Sequence, residues 1–307
     1  MGNLCDCCGV RDKERIGLPE YRSGGNSQYG FALAKNDRAR MEDAVSMEEN
    51  VAGHKCLAVF DGHGGDKAAR RAQELLPKQL DLHLQQQSST KEEAVMNAFH
   101  AVEMLMQPEL AEEAKVMSSG ASSGTVTCVA LLREKELLLI NLGDCRGVVC
   151  GSAKVTITTK DHSPEKETEK QRLAESGVTV EGGYVDGKVQ VSRAFGDILD
   201  KTGEKIPGLI SRPELTAIQV TDNTEFVILA SDGIWDGIQS QTAATTARKV
   251  LRETRSPEEA AKAVVEAAGK ATKADNAAVI VLALNVPDPV PKRDAAQSRF
   301  RRSSKTE

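Results

Sequence analysis

Four short apolar runs in this 307-residue chain each meet a carboxylate at one end. Cys56-Leu57-Ala58-Val59-Phe60 enters Asp61-Gly62-His63-Gly64-Gly65, and Leu137-Leu138-Leu139-Ile140-Asn141-Leu142 enters Gly143-Asp144. Phe226-Val227-Ile228-Leu229-Ala230 enters Ser231-Asp232-Gly233. In the fourth the order is reversed, and Asp275-Asn276 precedes Ala277-Ala278-Val279-Ile280-Val281-Leu282. Continuous apolar runs of this length read as buried strands. A carboxylate where such a strand meets a loop is held rigidly and can face a cleft. If several of them converge, they repel one another unless cations neutralise them. An oxygen donor set in a chain with only five histidines suits the hard cations Mg²⁺ or Mn²⁺. The pattern points to an enzyme.

Composition narrows the frame. Hydrophobic residues make up 40% of the chain but aromatic residues only 3%, so Val, Ile, Leu and Ala must build the core. The length is large for one domain, although two-layer β folds reach it undivided. A net charge of −5 gives no electrostatic case for nucleic-acid binding. No apolar stretch approaches bilayer-spanning length, and no charged start precedes an apolar secretory segment. Of the seven cysteines, Cys56, Cys128, Cys145 and Cys150 lie in or beside apolar runs, as ordinary core thiols do. A reducing, cytoplasmic setting is expected.

Residues 1–22 read as a flexible leader, 23–286 as the folded body, and 287–307 as a disordered basic tail with three prolines and six Lys or Arg side chains. Short strands are expected at 28–34 and 43–47, ahead of the run that ends at Asp61. Apolar residues at helical spacing mark an αα pair over 67–87 and 91–117. Strand signals return at 125–132, 136–142, 146–150 and 153–158. A helix over 165–176 ends at Gly177, a left-handed cap. Asp186-Gly187 reads as a hairpin turn between Tyr184-Val185 and Lys188-Val189-Gln190-Val191. Two strands, helices over 241–253 and 257–273, and a strand over 279–284 complete the body. Strands, helix pair, strands, helix pair, strand is not a βαβ alternation. It predicts an α+β fold of antiparallel sheets with segregated helices.

Taken singly, the chemical motifs stay ambiguous. Asp61-Gly62-His63-Gly64-Gly65 reads equally as a loop that approaches a ligand and as a turn with a solvated Asp. Asp144, Asp232 and Asp275 are each open to the same bland reading. Arg38-Ala39-Arg40-Met41-Glu42-Asp43 offers two carboxylates and a guanidinium fork suited to phosphate, yet alone is better read as a charged edge strand. Cys5 and Arg11 have tyrosine-phosphatase spacing without the preceding histidine. Gly182 to Lys188 nearly forms a phosphate-binding loop, but Val189 stands where Ser or Thr is needed, so a hairpin is preferred. Cys5, Cys7 and Cys8 have no second Cys or His cluster with which to share zinc.

Together, and in order, these segments resemble the metal-dependent serine/threonine protein phosphatases of type 2C. The resemblance covers residues 25–285. It also takes in Ser123-Gly124-Thr125, Gly143-Asp144-Cys145-Arg146, Asp161-His162-Ser163-Pro164, Val191-Ser192-Arg193-Ala194-Phe195-Gly196-Asp197 and Ser231-Asp232-Gly233-Ile234-Trp235-Asp236. It implies a four-layer α-β-β-α sandwich, two antiparallel sheets flanked by helix pairs, with the metal site at one end of a catalytic domain over 23–286. By position Asp61 would bridge two Mg²⁺ or Mn²⁺ ions. The Gly62 carbonyl, Asp43, Asp232 and Asp275 would complete the shell, partly through water, with Glu42 outside it. Asp144, with Asp232, matches a weaker third metal position of some members. Arg38 would bind the substrate phosphate, and His63 resembles the general acid. Metal-activated water would hydrolyse phosphoserine and phosphothreonine in protein partners. A catalytically silent phosphoprotein binder is the competing reading; loss of the carboxylates would mark it, and all five aspartates are here.

The chain departs from the family at Gly124, where many members have Ser, and at Ser163, where many have Lys. Residues 198–211 match its variable flap. Met1-Gly2-Asn3 with Cys5, Cys7 and Cys8 resembles a myristoylation site beside palmitoylation sites, though Asp6 stands where Ser or Thr is usual. That motif implies membrane association through an acylated N-terminus, with a soluble cysteine-rich leader as the alternative; a monomer and no nucleic-acid partner are expected.

Overall fold

The computed structural model describes residues 21–86 and 90–288. The strands begin with β1 (Tyr21–Gly25), β2 (Tyr29–Ala34), β3 (Ala44–Val51), β4 (His54–His63), β5 (Gly124–Arg133), β6 (Glu136–Leu142), β7 (Arg146–Gly151) and β8 (Lys154–Thr158). Three two-residue strands follow: β9 (Val180–Glu181), β10 (Tyr184–Val185) and β11 (Phe195–Gly196). The last are β12 (Glu214–Gln219), β13 (Thr224–Ala230) and β14 (Ala277–Ala283). Helices α1 (Lys67–Leu84) and α2 (Lys91–Ala114) form the first pair, and α3 (Glu167–Glu175) stands alone. The short α4 (Asp232–Trp235) precedes the second pair, α5 (Ser240–Thr254) and α6 (Pro257–Gly269).

One sheet has the order β1-β2-β14-β13-β7-β8, and the other β12-β6-β5-β4-β3 with β11 added against β5. Neighbouring strands in both are antiparallel. Three apolar layers hold the stack together. Along β13, Phe226, Ile228 and Ala230 pack toward α5 and α6, while Val227 and Leu229 fill the space between the sheets. Along β4, Cys56, Ala58 and Phe60 pack toward α1 and α2, and Leu57 and Val59 face inward. Strands covered on both faces have no polar side, which is why the sequence shows continuous apolar runs. Each fully buried Phe or Ile contributes roughly 1.5–3 kcal/mol of transfer free energy. Ala243, Ala244 and Ala247 of α5 and Ala260, Ala261 and Ala268 of α6 are buried in the same layer, so small side chains lie between helix and sheet. The fold is the expected α-β-β-α sandwich.

Several local expectations change. Strand β1 begins at Tyr21 and pairs along its whole length with β2, so the sheet starts inside the segment read as a leader. Tyr21 packs on the α5/α6 layer, which gives this end of the chain an apolar anchor. No strand forms at residues 188–191. Instead β9 and β10 pair across Gly182-Gly183, whose φ values of +57° and +82° make a tight two-residue turn. The Asp186-Gly187 turn is present, but Val189 makes only one bridge back to Val185. Helix α6 ends at Gly269, four residues short of the expected end. Cys56, Cys128, Cys145 and Cys150 are free and buried.

Gly2, Cys5, Cys7 and Cys8, like the tail beyond residue 288, lie outside the described residues. No helix among the described residues is long and apolar enough to cross a membrane.

Candidate active site

The antiparallel pairing carries the motif carboxylates to one end of the sandwich. Asp61 lies near the end of β4, and Asp43 immediately precedes β3, its neighbour in the same sheet. Asp144 sits in the turn from β6 to β7, which changes sheets. In the other sheet β13 ends one residue before Ser231-Asp232, beside Asp275-Asn276 at the start of β14. The end of β2 pairs with Ala277 and brings the Arg38 to Glu42 segment to the same place.

Hydrogen bonds lock this end together. The Ser231 hydroxyl donates to Asp43 Oδ2 at 2.8 Å and accepts from the Ala278 N–H at 2.9 Å. The Asp232 N–H points at Asp61 Oδ2 from 3.4 Å. Asn276 clamps the incoming segment: Oδ1 accepts from the Glu42 N–H at 2.7 Å, and Nδ2 donates to the Lys35 and Arg40 carbonyls at 2.8 and 3.0 Å. Gly62 lies against this segment so closely that a Cβ there would fall 2.5 Å from the Glu42 carbonyl oxygen. Thr125 donates to the Asp61 carbonyl at 2.8 Å, which fixes the β4 end from β5.

The electrostatics follow from burial. Asp61 is pushed well above the carboxylate range, first by burial and then by the charges of Asp43, Asp232 and Asp144. Asp43, Asp144 and Asp232 are raised in the same sense, burial first in each case and neighbouring aspartates next, with the Ser231 hydrogen bond opposing the rise at Asp43. Glu42 is raised by burial, with Arg38 opposing. Such a cluster must either bind protons or be neutralised by cations. Its all-oxygen chemistry fits a hard divalent ion. Among the described residues, however, no three His, Cys, Asp or Glu side chains close on one point tightly enough to hold an ion by themselves. Main-chain carbonyls and water would have to share the coordination.

Arg38 stands at the mouth of this cluster. Its Nε donates to the Ala274 carbonyl at 2.9 Å and Nη2 pairs with Asp275 at 2.5 Å, while 51% of the side chain stays exposed. His63 lies on the other side, with Nε2 2.9 and 3.1 Å from the two carboxylate oxygens of Asp197. Burial works against a charged His63 ring, but Asp197 outweighs it and the imidazole is raised above its ordinary value. Beside Asp144, Arg146 is held bidentately by Asp161 at 3.0 and 2.5 Å. His162 Nδ1 accepts from the Gly143 N–H at 3.0 Å, and burial lowers this ring to about 3, so it stays neutral.

All nine described residues singled out from the sequence thus lie at this end. Asp197 and Ser231 were not singled out, although each lies within a quoted motif. Nothing in their spacing shows that Asp197 meets His63 or that Ser231 meets Asp43.

Comparison with known proteins follows the same lines. A family model described as Protein phosphatase 2C matches residues 27–277. The Arabidopsis thaliana protein named probable protein phosphatase 2C 22 is 33% identical over 94% of this chain and 75% of its own length. The rice (Oryza sativa subsp. japonica) protein named probable protein phosphatase 2C 2 is 34% identical, over 86% of this chain and 72% of its own. Among solved structures, a C. elegans sex-determining protein aligns with a TM-score of 0.71 at 22% identity, covering 90% of this chain and 67% of that one. The serine-threonine phosphatase 2C of Toxoplasma gondii aligns with a TM-score of 0.65 at 21% identity, covering 87% and 98%.

Proposed function

Because this chain belongs to the protein phosphatase 2C family of metal-dependent serine/threonine protein phosphatases, we propose that the carboxylate end of its sandwich is the catalytic centre. The chain removes phosphate from phosphoserine and phosphothreonine in protein substrates there. Asp61 would help to hold each of two Mg²⁺ or Mn²⁺ ions. Asp43, Asp232, Asp275 and the Gly62 carbonyl would share the remaining positions with water, and Glu42 would hold one of those waters. Asp144, with Asp232, would offer a weaker third position. When bound, the cations would acidify a water and offset charge on the phosphate.

The rest falls to the chain's own groups. Arg38 keeps Nη1 free of hydrogen bonds among the described residues, so it can approach phosphate oxygens without leaving Asp275. His63 would protonate the departing serine or threonine oxygen, a poor leaving group without a proton. The observation that carries this reading is the group of mutually repelling aspartates, Asp43 buried and Asp61, Asp144 and Asp232 half-buried around it, costly in any fold that does not neutralise them.

Purified protein should hydrolyse para-nitrophenyl phosphate and a phosphothreonine peptide only with added Mn²⁺ or Mg²⁺. Full turnover in excess chelator would overturn the metal assignment. A monomeric state rests on the sequence alone and is checked by light scattering. Gly2, with Cys5, Cys7 or Cys8, would be acylated and hold the protein at a membrane. Gly2→Ala should move the protein from membrane to supernatant on fractionation, and equal solubility of the two forms would remove the acylation.

A further inference from the structure

Asp197 is built into its place from three directions. Its N–H donates to the Ser123 carbonyl at 3.1 Å, and its carbonyl accepts from Ile206 of the flap at 2.9 Å. The preceding Gly196 is held from both sides. Its N–H donates to Glu103 of α2 at 3.2 Å, and its carbonyl accepts from Lys205 Nζ at 2.6 Å. Lys205 in turn pairs with Glu103 at 2.9 Å. Ser123 is itself fixed by Glu113, which accepts from its hydroxyl at 2.7 Å and its N–H at 3.1 Å. Asp197 adopts the left-handed φ of +58°, unusual for a residue other than glycine, and its side chain is 3% exposed. So much scaffolding for one buried carboxylate needs a reason, and the only side chain it hydrogen-bonds among the described residues is His63.

Gly124 supplies the room. A Cβ at position 124 would lie 2.3 Å from both Asp197 Oδ2 and His63 Nε2, inside the space the pair occupies. Gly124 pairs with Gly196 across the β5–β11 ladder and with His63 across the β4–β5 ladder, so it cannot slide away. The contact consumes His63 Nε2 and leaves Nδ1 with no hydrogen bond among the described residues. A carboxylate on one ring nitrogen fixes which nitrogen faces the reaction.

We propose that Asp197 is the positioning residue for His63, that Gly124 is the gap through which the two meet, and that the pair sets selectivity for alkyl over aryl phosphate esters. The proposal rests on His63 as the acid of the reaction above. As a water oxygen bonds to phosphorus and loses its proton to solvent, the phosphorus–oxygen bond to the substrate side chain breaks. The electron pair stays on that oxygen. A serine or threonine oxygen takes a proton from His63 Nδ1 to leave as an alcohol, and the ring recovers one from water. A nitrophenolate leaves without a proton, so only the first substrate class depends on where the ring points.

The test is the ratio of kcat on a phosphothreonine peptide to kcat on para-nitrophenyl phosphate, at one pH and saturating Mn²⁺. His63→Gln gives the value for a missing acid. Asp197→Gly removes the carboxylate while keeping the left-handed backbone unstrained, and Asp197→Asn keeps a neutral acceptor in the same place. Melting curves confirm that each variant is folded. The ratio should fall about tenfold or more in Asp197→Gly and in Gly124→Ala, and less in Asp197→Asn. It should fall no further when His63→Gln and Asp197→Gly are combined. Equal losses on both substrates in Asp197→Gly, or a full ratio there while His63→Gln lowers it, would overturn the positioning role and leave His63 as the acid. An unaltered ratio in His63→Gln would instead remove His63 as the acid, and this proposal with it.

Discussion

The Ser231 hydroxyl donates its single proton to Asp43 although 188 residues separate the two, and the bond joins the β13 end of one sheet to the β3 start of the other. The same oxygen accepts from the buried Ala278 N–H, so its proton has no second orientation to choose. Ser231→Ala should therefore orphan a buried amide and remove the hydroxyl donor that favours the charged form of Asp43. The expected cost is about 1–3 kcal/mol of stability. The Mn²⁺ concentration for half-maximal turnover should rise as well. Thermal melts and a Mn²⁺ titration check both effects, and an unaltered Mn²⁺ requirement would separate this bond from metal binding.

Arg38 pairs with Asp275 while half of its side chain stays exposed, so the proposed phosphate contact and a proposed metal ligand share one guanidinium. Arg38→Ala should act mainly on KM for a phosphopeptide, with a smaller loss in kcat. A steady-state comparison decides this, and an unchanged KM would argue against phosphate contact.

Repulsion in the aspartate cluster predicts an unusual pH dependence for metal-free protein. Asp43, Asp61, Asp144 and Asp232 all have folded values raised by burial and by one another. The folded state then holds more protons than the unfolded state above about pH 4, so stability must fall as pH rises from there. Added Mn²⁺ should restore it. Asp61→Asn and Asp232→Asn should flatten the fall in chelator while lowering turnover by orders of magnitude. Melting temperatures across pH, with and without chelator, test the sign directly.

The reach of the sequence has a physical boundary. Strands such as β4, β13 and β14 were legible because both of their faces are buried, which turns the run itself into the signal. Asp61, Asp144, Asp232 and Asp275 were legible because each marks the end of such a run. Contacts between distant loops left no periodic trace. His63 and Asp197 are 134 positions apart and meet only because Gly196 and Asp197 take consecutive positive φ values. The end of the leader was misplaced for a related reason. The β1 sequence Tyr-Arg-Ser-Gly-Gly has low strand propensity, and its pairing with β2 overrides that preference.

One buried carboxylate supports the flap from beneath. Glu169 of α3 accepts from Arg172 Nη2 at 2.9 Å, Arg193 Nη2 at 2.5 Å and the Ser192 hydroxyl at 2.8 Å, with its side chain only 2% exposed. The two arginines pass this anchorage on, because Arg172 donates to the Gly208 carbonyl at 2.7 Å and Arg193 to the Arg212 carbonyl at 3.0 Å. Burial alone would raise Glu169, but the hydrogen bonds from Arg193 and Ser192 overcome it and hold the carboxyl at about 2. A depressed folded value contributes stability that is complete above the unfolded value of about 4.5 and is lost as pH falls toward 2. Glu169→Gln should remove that acid-side loss and lower the melting temperature at pH 7. Glu169→Ala, which strands two arginines, should cost roughly 3–5 kcal/mol. Hydrogen exchange should then quicken first in residues 192–212, the segment the arginines hold. Equal acid sensitivity in wild type and Glu169→Gln would show that other carboxylates govern the acid limb.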